Sequence, residues 1–168
     1  EEVSVRSVAQ AVPIVEISGN VVTPEGRALS GKSNVMTAEP RRIVITGGAT
    51  GIGRACALEM AQSGEHVFIL NRDANKAAPV VEEIRNNGGR IEGLATDVTH
   101  RAPLEPAFDA VGQCDVLINS AGTMSQAPFE QVTDAEFERL LAVNLRGLFA
   151  CCQLATRNMP PGGRIVNV

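Results

Sequence analysis

The stretch whose reading decides the fold is Ile43-Val44-Ile45-Thr46-Gly47-Gly48-Ala49-Thr50-Gly51-Ile52-Gly53. Its first four residues are β-branched and mostly apolar, which suits a strand buried in a parallel sheet. Glycines follow at positions 47, 48, 51 and 53, and an Ala/Leu/Met-rich segment, residues 54–62, comes next. A strand, a tight glycine turn and a helix start are the parts needed to hold a phosphate. Backbone N–H groups at the helix N-terminus point at the anion, and the missing side chains let it approach. The same letters also suit a glycine-rich surface turn, so the flanking segments must decide between the two.

Downstream, strands alternate with helices, the pattern of a parallel sheet with right-handed crossovers. Strands are predicted at 42–46, 66–70, 90–95, 115–119 and 164–168, and helices at about 52–63, 74–87 and 103–111. A single long helix is predicted over 134–158. It opens with Thr133-Asp134-Ala135-Glu136, a capping box that satisfies two orphan N–H groups. Phe137, Leu141, Leu148 and Cys152 share one helical stripe. Asn144 falls within it, where a polar amide needs a specific partner.

Upstream, β-branched residues are broken by Pro13, Gly19 and Pro24, so a short hairpin is the most that could form. Gly26-Arg27-Ala28-Leu29-Ser30-Gly31-Lys32-Ser33 matches the phosphate-loop pattern G-x-x-x-x-G-K-[ST] letter for letter. Its context fails, because residues 34–42 carry Pro40 and no apolar stripe where a helix must follow. Residues 1–40 therefore read as a flexible leader or extension outside the fold, and residues 41–168 as the domain. Nucleoside triphosphate binding at residues 26–33 is the lesser alternative. Met36, followed by a polar lead into the first strand, is a candidate natural start.

Composition narrows the function. Hydrophobic residues make up 44% and charged ones 20%, ordinary for a globular domain. A net charge of −4 with no basic block argues against nucleic acid as a partner. No apolar run approaches the roughly 20 residues that cross a bilayer, and no signal-peptide pattern opens the chain. The four cysteines (56, 114, 151 and 152) lack metal-ligand spacing, so no metal site is expected and a reduced, cytoplasmic protein is the simplest reading. The chain starts at Glu1, stops at Val168 within a predicted strand, and contains no Tyr or Trp. It reads as a piece of a longer protein.

In open parallel sheets, ligands bind beyond the carboxyl ends of the strands. After the second strand come Asn71, Arg72 and Asp73. An acid there would bind a ribose 2′-hydroxyl, whereas an arginine would pair with a 2′-phosphate. Asp73 lies about 20 residues past Gly53, the distance of a ribose-binding acid, but also where Asp commonly caps a helix. With Asn71 neutral and Arg72 beside it, charge favours NADP(H), and NAD(H) stays possible. The third strand leads to Asp97-Val98, which could equally form an Asx-turn. The fourth ends in Asn119-Ser120-Ala121-Gly122.

Taken together these motifs resemble the short-chain dehydrogenase/reductase family over residues 41–168. Thr46 and the glycines match its T-G-x-x-x-G-x-G signature, with Gly48, Ala49, Thr50 and Ile52 inside it. The spacing differs from the G-x-G-x-x-G of ordinary dinucleotide domains. Asn119-Ser120-Ala121-Gly122 is similar to the family's Asn-Asn-Ala-Gly, with Ser120 as the departure. The resemblance implies an α/β, Rossmann-like doubly wound parallel sheet, truncated after the fifth strand. It implies that Asp97 and Val98 contact adenine, and that Ser120, Ala121 and Gly122 pass under the nicotinamide ribose while Asn119 ties neighbouring strands.

Asn144 resembles the family's helix asparagine, which supports the active-site lysine through a water; a satisfied core Asn is the alternative. The implied activity is carbonyl/alcohol interconversion on a small molecule by hydride transfer, in a dimer or tetramer built through the helix at 134–158. The family's Ser follows the fifth strand, and its Tyr and Lys are spaced Tyr-x-x-x-Lys, so this chain is expected to be inactive by itself. A non-catalytic dinucleotide-binding module would carry the same cofactor motifs.

Overall fold

The computed structural model describes residues 39–168. The phosphate-loop pattern at 26–33, residues 1–38 of the leader predicted at 1–40, and the candidate start at Met36 lie outside the described residues. Five parallel strands form one sheet in the order β3-β2-β1-β4-β5: β1 Arg42–Thr46, β2 His66–Asn71, β3 Arg90–Ala95, β4 Val116–Asn119 and β5 Arg164–Asn167. Helices α1 (Gly51–Gln62), α2 (Ala74–Asn86) and α3 (Arg101–Val111) connect the first four strands in turn. The α/β, Rossmann-like architecture implied by the sequence is the one observed.

Period-two alternation explains how one sheet feeds two cores. Ile43 and Ile45 of β1, Val67 and Ile69 of β2, and Val116 and Ile118 of β4 pack with Ala57 and Met60 of α1 and Val80 and Ile84 of α2. The intervening Val44, Phe68, Leu70 and Leu117 pack on the other face with Leu104 and Phe108 of α3 and Cys151 and Leu154 further on. Strands buried on both faces are why residues 43–46 read as a continuous apolar run. At the lower edge, Glu65 is 7% exposed and joins the start of β2 to β1 through Arg41, accepting from its backbone N–H and its Nε at 2.8 Å each.

The connection from β1 runs outward through β2 to β3, and the chain then returns to place β4 on the other side of β1. Thr46 pairs with Leu70 on one side and Asn119 on the other. A crevice opens at such a reversal, beyond the carboxyl ends of the strands.

The long helix predicted over 134–158 is interrupted. It consists of α4 (Asp134–Leu141), a π-helical stretch (Ala142–Gly147) and α5 (Leu148–Arg157). A π turn holds more residues than an α turn, so the stripe drawn at constant helical period loses its phase across it. Phe137 is 52% exposed, and Asn144 is exposed rather than set in a buried stripe. The buried face of α5 is Ala150, Cys151, Leu154 and Ala155 instead. Gly147 closes the π stretch where a Cβ would lie 2.9 Å from Val98 Cγ2, so the helix approaches the β3 tip closely. The capping box is half formed. Thr133 Oγ1 accepts from the Glu136 N–H at 3.2 Å, but the Glu136 carboxylate turns to Arg139.

Cys114 and Cys151 are buried, and burial pushes both thiols up to about 12, aided by Asp115 and by Cys152 respectively. Neither is a nucleophile at neutral pH. No helix among the described residues is long and apolar enough to cross a membrane.

Candidate functional site

A cleft of about 720 Å³ lies at the carboxyl ends of the strands, within the size range of small-molecule pockets. Its central wall is the turn between β1 and α1. Gly47 adopts φ +69°, and a Cβ there would sit 2.9 Å from the backbone N and Cα of Ala121. Only glycine lets the β1 and β4 turns meet so closely. Gly51, at φ +55°, has no atom within 4 Å of where its Cβ would stand, and it faces the cleft. Gly48 and Gly53 serve packing: added Cβ atoms would lie 2.4 Å from Ile69 Cγ2 and 2.5 Å from the Gly47 carbonyl oxygen.

Thr50 caps α1 in extended conformation without a side-chain hydrogen bond, and the first turn holds no acid. The first helical bond is Arg54 N–H to the Thr50 carbonyl at 3.1 Å, so the N–H groups of Gly51, Ile52 and Gly53 have no intrahelical acceptor. Together with the helix dipole, these donors suit an anion.

Charged groups gather at the tips of β2 and β3. Asn71 Nδ2 donates to the Asp73 carbonyl at 3.0 Å, and Asp73 Oδ1 accepts from Asn75 N–H at 3.0 Å as the cap of α2. Arg72 is exposed and lines the cleft with Lys76, one turn into α2. Neither forms an ion pair within 4.0 Å among the described residues, whereas Arg54 is paired with Glu83 at 2.5 Å. Asp97 makes the Asx-turn, with Oδ1 accepting from Thr99 N–H (2.9 Å) and Oγ1 (2.8 Å). Burial pushes its carboxyl up, but the Thr99 bonds and the Arg72 and His100 charges outweigh it and hold the group below the ordinary carboxylate value.

The third wall follows β4. Thr46 is 2% exposed, and its Oγ1 accepts from the N–H groups of Ser120 and Ala121 at 3.1 Å each. Asn119, 3% exposed, donates from Nδ2 to Asn167 Oδ1 at 2.9 Å and to Cys152 Sγ at 3.3 Å, tying β4 to β5 and α5. Asn144 grips the next segment from the π stretch: its Oδ1 accepts from Thr123 N–H and its Nδ2 donates to Thr123 carbonyl, both at 2.8 Å.

The structure thus brings Gly47, Thr50, Gly51, Ile52, Asn71, Arg72, Asp97, Val98, Ser120, Ala121 and Gly122 to one cleft. Thr46, Gly48, Ala49, Gly53 and Asn119 stand behind its surface and shape it, because their side chains or missing side chains are spent on packing and hydrogen bonds. Asn144 sits behind Thr123. Sequence reading missed Lys76, Thr96, Thr123 and Arg139, all of which line the cleft. Lys76 had a signal, being one helical turn past the β2 tip; Arg139 had none. Among the described residues, Thr96 Oγ1 and Asn119 Oδ1 are buried without a hydrogen-bond partner.

A glycine turn at a helix N-terminus, charged residues at the next strand tip and a crevice at the sheet reversal make up the arrangement of an α/β, Rossmann-like domain. The short chain dehydrogenase family pattern matches residues 41–168, and the chain belongs to that family. It is 35% identical over 131 residues to D-threitol dehydrogenase of Mycolicibacterium smegmatis, covering 74% of this chain and 50% of that protein. It is 32% identical over 132 residues to 3beta-hydroxysteroid dehydrogenase of Mediterraneibacter gnavus, covering 75% and 48%. The crystal structure of a dehydrogenase/reductase from Sinorhizobium meliloti 1021 superposes with a TM-score of 0.72 at 36% identity, covering 76% of this chain and 52% of that one. The chain spans about half the length of the curated relatives it matches.

Proposed function

We propose that this chain is the cofactor-binding part of an oxidoreductase that interconverts a carbonyl and an alcohol on a small molecule, with NADP(H) preferred over NAD(H). The observation that carries the reading is the convergence of the glycine turn, the β2 and β3 tip charges and the β4 turn on one cleft. In it the unpaired N–H groups of α1 bind the pyrophosphate, Gly51 leaves the approach clear, and Asp97 and Val98 receive the adenine. Ser120, Ala121 and Gly122 support the nicotinamide ribose. When bound, the nicotinamide supplies hydride exchange with the carbonyl carbon.

The preference for NADP(H) rests on Arg72 and Lys76, which line the cleft and form no ion pair within 4.0 Å among the described residues, and on Asp73, whose Oδ1 caps α2. A charge-assisted bond to a 2′-phosphate is worth about 1.5–3 kcal/mol. Titration of nucleotide fluorescence on the whole protein is expected to show NADPH binding at least about tenfold tighter than NADH, with Arg72→Ala closing that gap. Equal or tighter binding of NADH sinks the preference, and binding of neither sinks the dinucleotide reading.

With no Tyr in its 168 residues, the chain lacks a phenol to exchange a proton with the carbonyl oxygen, and taken alone it is expected to turn over no ketone. Exposed Phe137, Leu145 and Phe149 along α4, the π stretch and α5 support an interface between copies of the whole protein. A cytoplasmic location fits free cysteines.

A further inference from the structure

The segment after β4 is held from a side that the glycine turn and strand tips do not account for. Thr123 and Met124 continue the β4 wall of the cleft. Arg139 of α4 lies over them: Nη1 donates to Thr123 Oγ1 at 2.8 Å and Nη2 donates to the Met124 carbonyl at 3.2 Å. Its other edge is fixed by Glu136, with Nε donating to Oε2 and Nη2 to Oε1 at 2.8 Å each. A planar guanidinium has the fixed donors to grip a carboxylate and a second partner at once, which an ammonium lacks. The Glu136 carboxyl is held below its ordinary value, first by the Arg139 hydrogen bond, so the pair stays charged at neutral pH.

Exposed ion pairs contribute little stability, and the Arg139 side chain is 46% exposed. Stability therefore does not explain the cluster; its product is the placement of two cleft-lining residues. Asn144 already fixes the Thr123 backbone. Arg139 adds a grip on the hydroxyl and on the following carbonyl, so the segment is held from two places on one helical run.

The cleft extends from the charged tips of β2 and β3, past the N-terminus of α1, to the β4 turn. With the adenosine at the charged end and the pyrophosphate at α1, the β4 end receives the nicotinamide half. We propose that Arg139, anchored by Glu136, is a positioning residue that sets Thr123 and Met124 as the rest for the nicotinamide half, with no part in holding the adenosine half. The proposal rests on the dinucleotide reading above.

The test compares the whole protein with its Arg139→Ala, Arg139→Lys and Glu136→Gln variants. NADPH and NADH are titrated by fluorescence, and the adenosine half alone is titrated by calorimetry as adenosine 2′,5′-bisphosphate and as ADP. The expected result is about a tenfold loss of dinucleotide affinity in Arg139→Ala, with adenosine-half affinity within about twofold of wild type. Arg139→Lys keeps the charge without the fork and stays weakened; Glu136→Gln shows a smaller loss of the same kind. Should Arg139→Ala fail to fold, the other two variants decide by the same comparison. Unchanged dinucleotide affinity, or an equal loss for both ligand types, overturns the proposal. Wild-type protein that binds neither dinucleotide overturns the underlying reading and the proposal with it, an outcome visible before any variant is made.

Discussion

The wall at residues 47–53 is shaped by side chains that are missing, whereas the wall at residues 120–124 hangs on side chains that reach in from elsewhere. In the first, Gly47, Gly48 and Gly53 leave no space for a Cβ because backbone or Ile69 already fills it. In the second, Thr46, Asn144 and Arg139 supply the bonds that hold backbone and hydroxyl groups in place. The glycine wall has no room for a side chain at Gly47, Gly48 or Gly53, and the β4 wall loses bonds when Thr46, Asn144 or Arg139 is cut back. The two fail for different reasons, and substitution can separate them.

The largest effect is expected in the glycine wall. Gly53→Val places branched carbons where a single Cβ would lie 2.5 Å from the Gly47 carbonyl oxygen, and about 3 kcal/mol of stability should be lost in denaturant unfolding. Gly51→Ala meets open space and bears only the left-handed backbone cost of about 1–2 kcal/mol, yet it puts a methyl in the cleft. Dinucleotide affinity should fall in that variant by more than stability does. If the two substitutions unfold the protein alike, the distinction between a packing glycine and an approach glycine is wrong.

In the β4 wall, Thr46→Val keeps shape and removes the hydroxyl that receives two N–H groups. Ser120 keeps a bond to the Thr46 carbonyl at 3.2 Å, so Ala121 N–H is the group left unpaired, at about 1–3 kcal/mol. Thr46→Ser should recover most of that loss, and failure to recover it would point to the methyl rather than the hydroxyl.

The smallest effect concerns Asp97, which lines the same cleft just past β3. Its folded value lies below the ordinary 3.8, so its ionised form contributes stability that is present above that value and is lost as pH falls through the folded one. Acid titration of stability should show a wild-type advantage over Asp97→Asn above pH 3.8 that shrinks below it. An advantage that persists unchanged to pH 2 would mean that the Thr99 bonds do not depend on the charge.

Much of the fold and of the cleft lining is legible in the linear sequence. The β-branched run at 43–46, the glycine spacing and the polar tips at 71–72, 97–98 and 119–122 are local features, and their period and turn chemistry do not depend on distant partners. Periodicity assumes a constant pitch and so predicts one unbroken helix over 134–158, and the π stretch at Ala142–Gly147 breaks that assumption. From spacing alone Asp73 suits either a ribose acid or a helix cap, and in the fold its Oδ1 accepts from the Asn75 N–H as the cap of α2.

The amino-acid order by itself therefore determined the strand and helix succession, the anion-ready turn and which charges stand at the strand tips, because each follows from backbone constraints within a few residues. The tertiary structure alone decided that Thr46 serves the β4 turn, 74 residues away, and that Gly147 lets the π stretch close on Val98. It also decided that Arg139 reaches back to Thr123. Such contacts join segments far apart in the chain, and only the packing of strands and helices fixes which side chains can reach each other.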